Sequence, residues 1–205
     1  MLFRSSCDFT VEGKYSYADN PGDEDLTAFS IAPDVAGFDP ADYPGIKDPG
    51  YDLLPMIQEA LEVKQGQQDR ELRIIASAWT APPWMKDIEG WYVGGTPDTF
   101  GEGTGGVLKE EYVGTYADYL LKYLAAYRAA GVEIWGLTPV NEPHGNSGQW
   151  ESMHFTPESQ NEFIKSHLGP SLRAGGHEDV KLLIYDQNRD HLEHWTDVKI
   201  GRAHV

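Results

Sequence analysis

The 205 residues suffice for one domain with a sizeable hydrophobic core, and no internal repeat or low-complexity linker divides them. Acidic side chains outnumber basic ones 33 to 16, a formal charge of −17, which argues against nucleic acid or an anionic membrane surface as partner. The single cysteine, Cys7, excludes an intrachain disulfide framework, and no apolar run approaches the roughly 18–20 residues of a membrane span. No basic, apolar and small-residue succession opens the chain, so the compartment stays open.

Met1–Phe9 reads as the end of a strand. Asp52–Val63 reads as a helix, with Leu53, Leu54, Ile57 and Leu61 near helical spacing and Pro55 in the first turn. Leu72–Trp79 is a short, nearly continuous apolar run, the pattern of a strand buried on both faces. Met85–Val107 follows as a long connection with Trp91, Tyr92 and Phe100. Its Gly101, Gly103, Gly105 and Gly106 match neither phosphate-binding glycine pattern and read as flexible loop. Leu108–Ala130 is the clearest helix, lined on one side by Tyr112, Val113, Tyr116, Leu120, Tyr123, Leu124 and Tyr127, with Gly131 placed to end it.

Glu133–Glu142 is the next strand. Thr156-Pro157-Glu158 then opens a helix with a capping hydroxyl, a proline at the first position and an acid near the positive dipole end. Lys181–Gln187 is another buried strand, and His191–Lys199 begins another helix. Strand and helix alternating in this way predict a parallel α/β fold, either a doubly wound sheet or a (β/α)8 barrel. A long loop at the C-terminal end of a strand, where barrel enzymes build their sites, selects the barrel.

The strongest chemical signal is Gly136-Leu137-Thr138-Pro139-Val140-Asn141-Glu142-Pro143. A strand ends in Asn-Glu, and Pro143 stops further ladder pairing. A carboxyl group at the rim of a buried strand is partly desolvated, which favours its proton-donating form. Glycoside cleavage needs such an acid to protonate the leaving oxygen, together with a second carboxylate. Asn141 carries both a donor and an acceptor for a sugar hydroxyl. The other strand ends supply Asp8, Trp79 and Asp186. Aromatic faces stack on the C–H face of a sugar ring while carboxylates and amides hold its hydroxyls. An inverting hydrolase pairing Glu142 with Asp186 is an alternative on these residues alone. His144 and His154 lack zinc-site spacing and companions, so they read as solvated loop residues, and no metal or cofactor is expected.

Further motifs fall in a defined order: Ser6-Cys7-Asp8-Phe9, Tyr15-Ser16-Tyr17-Ala18-Asp19, Ser77-Ala78-Trp79-Thr80-Ala81-Pro82-Pro83-Trp84-Met85-Lys86, Asn141-Glu142-Pro143, Phe155-Thr156-Pro157-Glu158 and Leu168-Gly169-Pro170. In that order the chain resembles glucosylceramidase-like members of glycoside hydrolase family 30, from Met1 to about Lys199. The resemblance implies a (β/α)8 barrel and a β-linked glycoside or glycolipid substrate, hence carbohydrate and sphingolipid metabolism. It also implies net retention at the anomeric carbon. It places Glu142 as general acid/base, Asn141 on the sugar 2-hydroxyl, and Asp8 and Trp79 on the remaining hydroxyls. Trp150 falls near an aromatic of the family's entrance loop, which differs in length here, and Asn188 near a polar position on the next strand. An endo-β-1,6-glucanase or β-xylosidase of the same family, and a non-catalytic sugar-binding relative, are the alternatives.

A whole barrel needs about 250 residues, and four strands are legible here. Residues 1–199 are therefore expected to form part of the catalytic barrel, roughly strands 2 to 5 with their helices. The resemblance places the nucleophilic glutamate on a seventh strand, beyond this chain. A family arginine six residues before Cys7 falls at Met1 and is absent. Ile200-Gly201-Arg202-Ala203-His204-Val205 departs from the family pattern, and one reading frame of a widely used short-read sequencing adapter encodes it. Residues 200–205 are accordingly expected to be a non-native tail; genomic DNA carrying the peptide into a natural stop codon would refute this.

Overall fold

The computed structural model describes residues 2–5, 15–35, 53–65, 72–93, 105–144 and 150–200. Strands β1 (Leu2–Ser5), β2 (Ile75–Ala78), β3 (Gly136–Thr138) and β4 (Lys181–Leu182) lie side by side in chain order, and all three pairings are parallel. Leu2 stands opposite Ile75, Ile75 opposite Gly136 and Gly136 opposite Lys181, so the strands start level and their C-terminal ends share one rim. Helix α1 (Leu53–Gln65) follows β1, and α2 (Val113–Ala129) follows β2. Helices α3 (Pro157–Phe163) and α4 (Gly169–Ala174) follow β3, and α5 (Leu192–Ile200) follows β4. Sequential parallel strands joined by helical crossovers are the repeating unit of a (β/α)8 barrel, present here as an open, partial sheet.

The strands are shorter than their apolar runs predict. Pairing leaves the regular ladder after Ala78, Thr138 and Leu182, then returns as a single parallel bridge between Asn141 and Asp186. Beside that bridge, Glu142 and Tyr185 adopt left-handed backbone angles, φ 48 and 56. Such a conformation costs a side-chain-bearing residue about 1–3 kcal/mol and breaks the pleat.

Helix α2 begins as a 3-10 turn at Glu110–Tyr112, later than its pattern predicts. Tyr116, Leu120, Tyr123, Leu124 and Tyr127 are buried as expected, while Ala117 and Tyr119 widen the buried face. Gly131 ends the helix at φ 83, its N–H donating to the Arg128 carbonyl and that of Val132 to the Tyr127 carbonyl. Buried phenols need acceptors. Tyr116 donates to the Pro139 carbonyl at 2.7 Å. Asp34, fully buried, accepts from Tyr15 at 2.7 Å, Tyr17 at 2.5 Å and Tyr127 at 2.6 Å. Burial foremost, then the Asp34 charge, raises the Tyr17 hydroxyl well above its ordinary value, so it stays a donor.

Helix α3 opens as expected at Thr156, whose hydroxyl accepts from the Ser159 N–H while its own N–H donates to the Ser159 hydroxyl. The helix does not end at Phe163. A π-helical stretch, Ile164–Leu168, carries it into α4. Pro170 has no N–H to continue an α-helical ladder, and the Gly169 N–H reaches back to the Ile164 carbonyl. A side chain at Gly169 would bring its Cβ within 2.8 Å of that oxygen.

Candidate active site

The rim is organised around residues 141 and 142. The Asn141 N–H donates to the Ala78 carbonyl at 2.6 Å, and the Glu142 N–H donates to the Asp186 carbonyl at 2.7 Å. The backbone where β3 ends is thereby stitched to β2 on one side and to the exit of β4 on the other. The left-handed angle at Glu142 turns the chain out of the sheet into Pro143, whose carbonyl accepts from the Phe155 N–H at 2.9 Å.

Glu142 is half-buried, and the indole Nε1 of Trp150 donates to its Oε2 at 3.3 Å. The Trp150 ring lies 6.4 Å from that of Trp79, tilted by 56°. Trp79 is 4% exposed and follows the last residue of β2. Four of the six residues singled out by sequence, Trp79, Asn141, Glu142 and Trp150, thus come together at one rim. Asn188 is exposed at the start of the 3-10 turn Arg189–His191. Asp8 lies outside the described residues.

Asp186 plays a different part from Glu142. Its Oδ2 accepts from the Ser77 hydroxyl at 2.9 Å, and Ser77 is a fully buried residue of β2. The carboxylate therefore ties two strands across the intervening β3.

His144 is not the solvated loop residue that its sequence setting suggests. It is half-buried, its Nε2 accepting from Trp195 Nε1 at 2.8 Å. The rings of His191, Trp195, Tyr185 and His154 lie 5.0, 5.7, 5.8 and 6.3 Å away. Its N–H donates to the Gln187 side chain at 3.2 Å, which fastens the turn after Glu142 to the β4 exit. Burial first, then the neighbouring His191 and His154, holds His144 below the ordinary histidine value and keeps Nε2 an acceptor. Among the described residues, no group of three His, Cys, Asp or Glu side chains is placed to hold a metal ion, and no helix is long and apolar enough to cross a membrane.

Sequence reasoning passed over Lys86, which is fully buried. Its ammonium donates to the carbonyls of Trp91 at 2.9 Å, Gly105 at 3.0 Å and Ser152 at 3.0 Å. The one available signal was a lysine closing the apolar run Pro82-Pro83-Trp84-Met85.

Residues 3–204 match the model of the glycosyl hydrolase family 30 TIM-barrel domain. The chain belongs to glycosyl hydrolase family 30. The mouse lysosomal acid glucosylceramidase is 34% identical over 200 residues, covering 96% of this chain and 34% of that protein. A second family relative, an endo-1,6-beta-D-glucanase of Neurospora crassa, is 29% identical over 189 residues, 91% of this chain and 33% of that one. The crystal structure of SrfJ from Salmonella typhimurium superimposes with a TM-score of 0.73 at 25% identity, covering 98% of this chain and 38% of that one. The chain thus spans about a third of the length of the curated relatives it matches.

Proposed function

We propose that the protein carrying this chain is a retaining O-glycosyl hydrolase of β-glucosidase or glucosylceramidase type, with Glu142 as general acid/base. The observation that carries the reading is the setting of Glu142: half-buried at a parallel strand's C-terminal rim, touched by the Trp150 indole and beside Asn141. In the first step Glu142 gives its proton to the glycosidic oxygen as that bond breaks and a second carboxylate bonds to the anomeric carbon. In the second it takes a proton from the water that displaces the carboxylate. That second carboxylate must sit roughly 5–5.5 Å away, and the family resemblance puts it on a strand beyond Val205. Trp79 and Asn141 line the sugar side, with Asp8 and Trp150 as further contacts; Asn188 joins them only if substrate extends along the β4 exit.

The test is Glu142→Gln in the full-length protein. Activity on glucosides with poor leaving groups should collapse while activated aryl glucosides are hydrolysed far better, because only the former need the proton. Equal loss on both removes the acid role. The likeness to an endo-1,6-beta-D-glucanase supports a second reading, and β-1,6-linked glucan against glucosylceramide separates the two. The isolated 205 residues should show no turnover, since the partial sheet leaves β1 and β4 as open edges; measurable hydrolysis of an aryl β-glucoside by them would contradict this.

A further inference from the structure

Resting on the reading of Glu142 as acid/base, we propose that Lys86 is a positioning residue that clamps the Trp150 segment over the Glu142 carboxylate. The three carbonyls held by its ammonium belong to three separate stretches of chain: Trp91 leaves the β2 exit, Gly105 lies on the return toward α2, and Ser152 lies on the connection from β3. An ammonium has three N–H groups, and each finds a partner here.

The surrounding backbone is built around the same junction. The Ser152 N–H donates to the Trp91 carbonyl at 3.3 Å, and the His154 N–H to the Gly106 carbonyl at 2.8 Å. Gly105 approaches so closely that a Cβ there would come within 2.3 Å of the Ser152 carbonyl carbon. Lys86 itself is anchored by an antiparallel bridge to Leu108. Two residues before the clamped Ser152, Trp150 reaches back to Glu142 Oε2 and faces Trp79. Release of the Ser152 carbonyl would free the segment that carries the indole. The acid/base would lose the donor that fixes one of its oxygens, and the proton would no longer be aimed at the leaving group.

The experiment is a comparison of Lys86→Met, Trp150→Phe and the double variant in the full-length protein, with kcat/KM measured on two β-glucosides. One has a poor, alkyl leaving group; the other is a dinitrophenyl glucoside that departs without protonation. For Lys86→Met the proposal expects a fall of about tenfold or more on the alkyl glucoside and less than about threefold on the aryl one. Trp150→Phe should lose more on the alkyl glucoside than on the aryl one, any lost sugar contact lowering both alike, and in the ratio of the two losses the double variant should be no worse than the worse single one, because both act on one contact. Equal losses on the two substrates, or fully additive losses in the double variant, overturn it. Should Lys86→Met fail to fold, Lys86→Gln, which keeps two N–H donors, takes its place. If neither folds, Lys86 serves the fold and the proposal is overturned. Glu142→Gln run alongside separates the two failures: a split there with none at Lys86 sinks the clamp and leaves the acid/base reading standing.

Discussion

Asp34 and Glu142 are the same functional group in opposite circumstances. Asp34 is sealed from solvent and receives three phenol hydroxyls, from Tyr15, Tyr17 and Tyr127, drawn from two distant parts of the chain. Glu142 stays half-open, on a strained backbone angle, with an indole 3.3 Å from one oxygen. A carboxylate wrapped on all sides stiffens what surrounds it and has no route to a reactant. One that is held by its backbone and left open at its tip can exchange a proton. Difference in wrapping, more than in chemistry, separates the residue that holds the barrel wall from the one that can act at its rim.

The comparison predicts a crossover of phenotypes. The largest effect is expected for Glu142→Gln in the full-length protein, with kcat on poor leaving groups falling by about 10²–10⁴ and thermal stability little changed. Steady-state kinetics beside a melting curve checks both halves. Asp34→Asn should do the reverse. It removes the charge and replaces one accepting oxygen by an NH2 that cannot accept from a phenol, destabilising by about 2 kcal/mol, seen as a lowered Tm, while kcat on activated glucosides holds. If Asp34→Asn melts like the parent, the contrast is wrong.

Gly131→Ala sharpens the same point. Nothing lies within 4 Å of the added Cβ, so the cost comes from φ 83 alone and should be about 1 kcal/mol. A larger loss would mean that the turn after Tyr127 is strained in some further way. The smallest effect concerns pH. Burial holds His144, His154 and His177 below the ordinary histidine value. The unfolded chain therefore binds their protons more readily than the folded one, so stability from these groups is complete above about pH 6.5 and fades as pH falls toward the lower folded values. Tm measured across that range should drop on the acid side, and His144→Asn should flatten part of the slope.

Local chemistry made much of this legible in the sequence. The start of α3 is written in Thr156 and Pro157, the end of α2 in Gly131, and the parallel order of the strands in the alternation of apolar runs. Trp79, Asn141, Glu142 and Trp150, which meet at one rim, are each marked in the sequence by their place at or after a strand end or in a motif. What escaped depends on distant partners. The left-handed angles of Glu142 and Tyr185, beside the lone bridge that replaces the ladder, carry no mark in the apolar runs. Lys86 escaped because main-chain carbonyls, its three partners, carry no mark in a sequence. His144 looked like a solvated loop residue because Trp195, its donor, comes 51 positions later.

Because β1, β2, β3 and β4 are neighbours in the order in which they are synthesised, each new strand emerging from the ribosome finds its docking edge already waiting. Growth of the wall is vectorial, one βα unit at a time. The acidic tip at the end of the third of these strands is in place only when the fourth arrives to receive the Glu142 N–H.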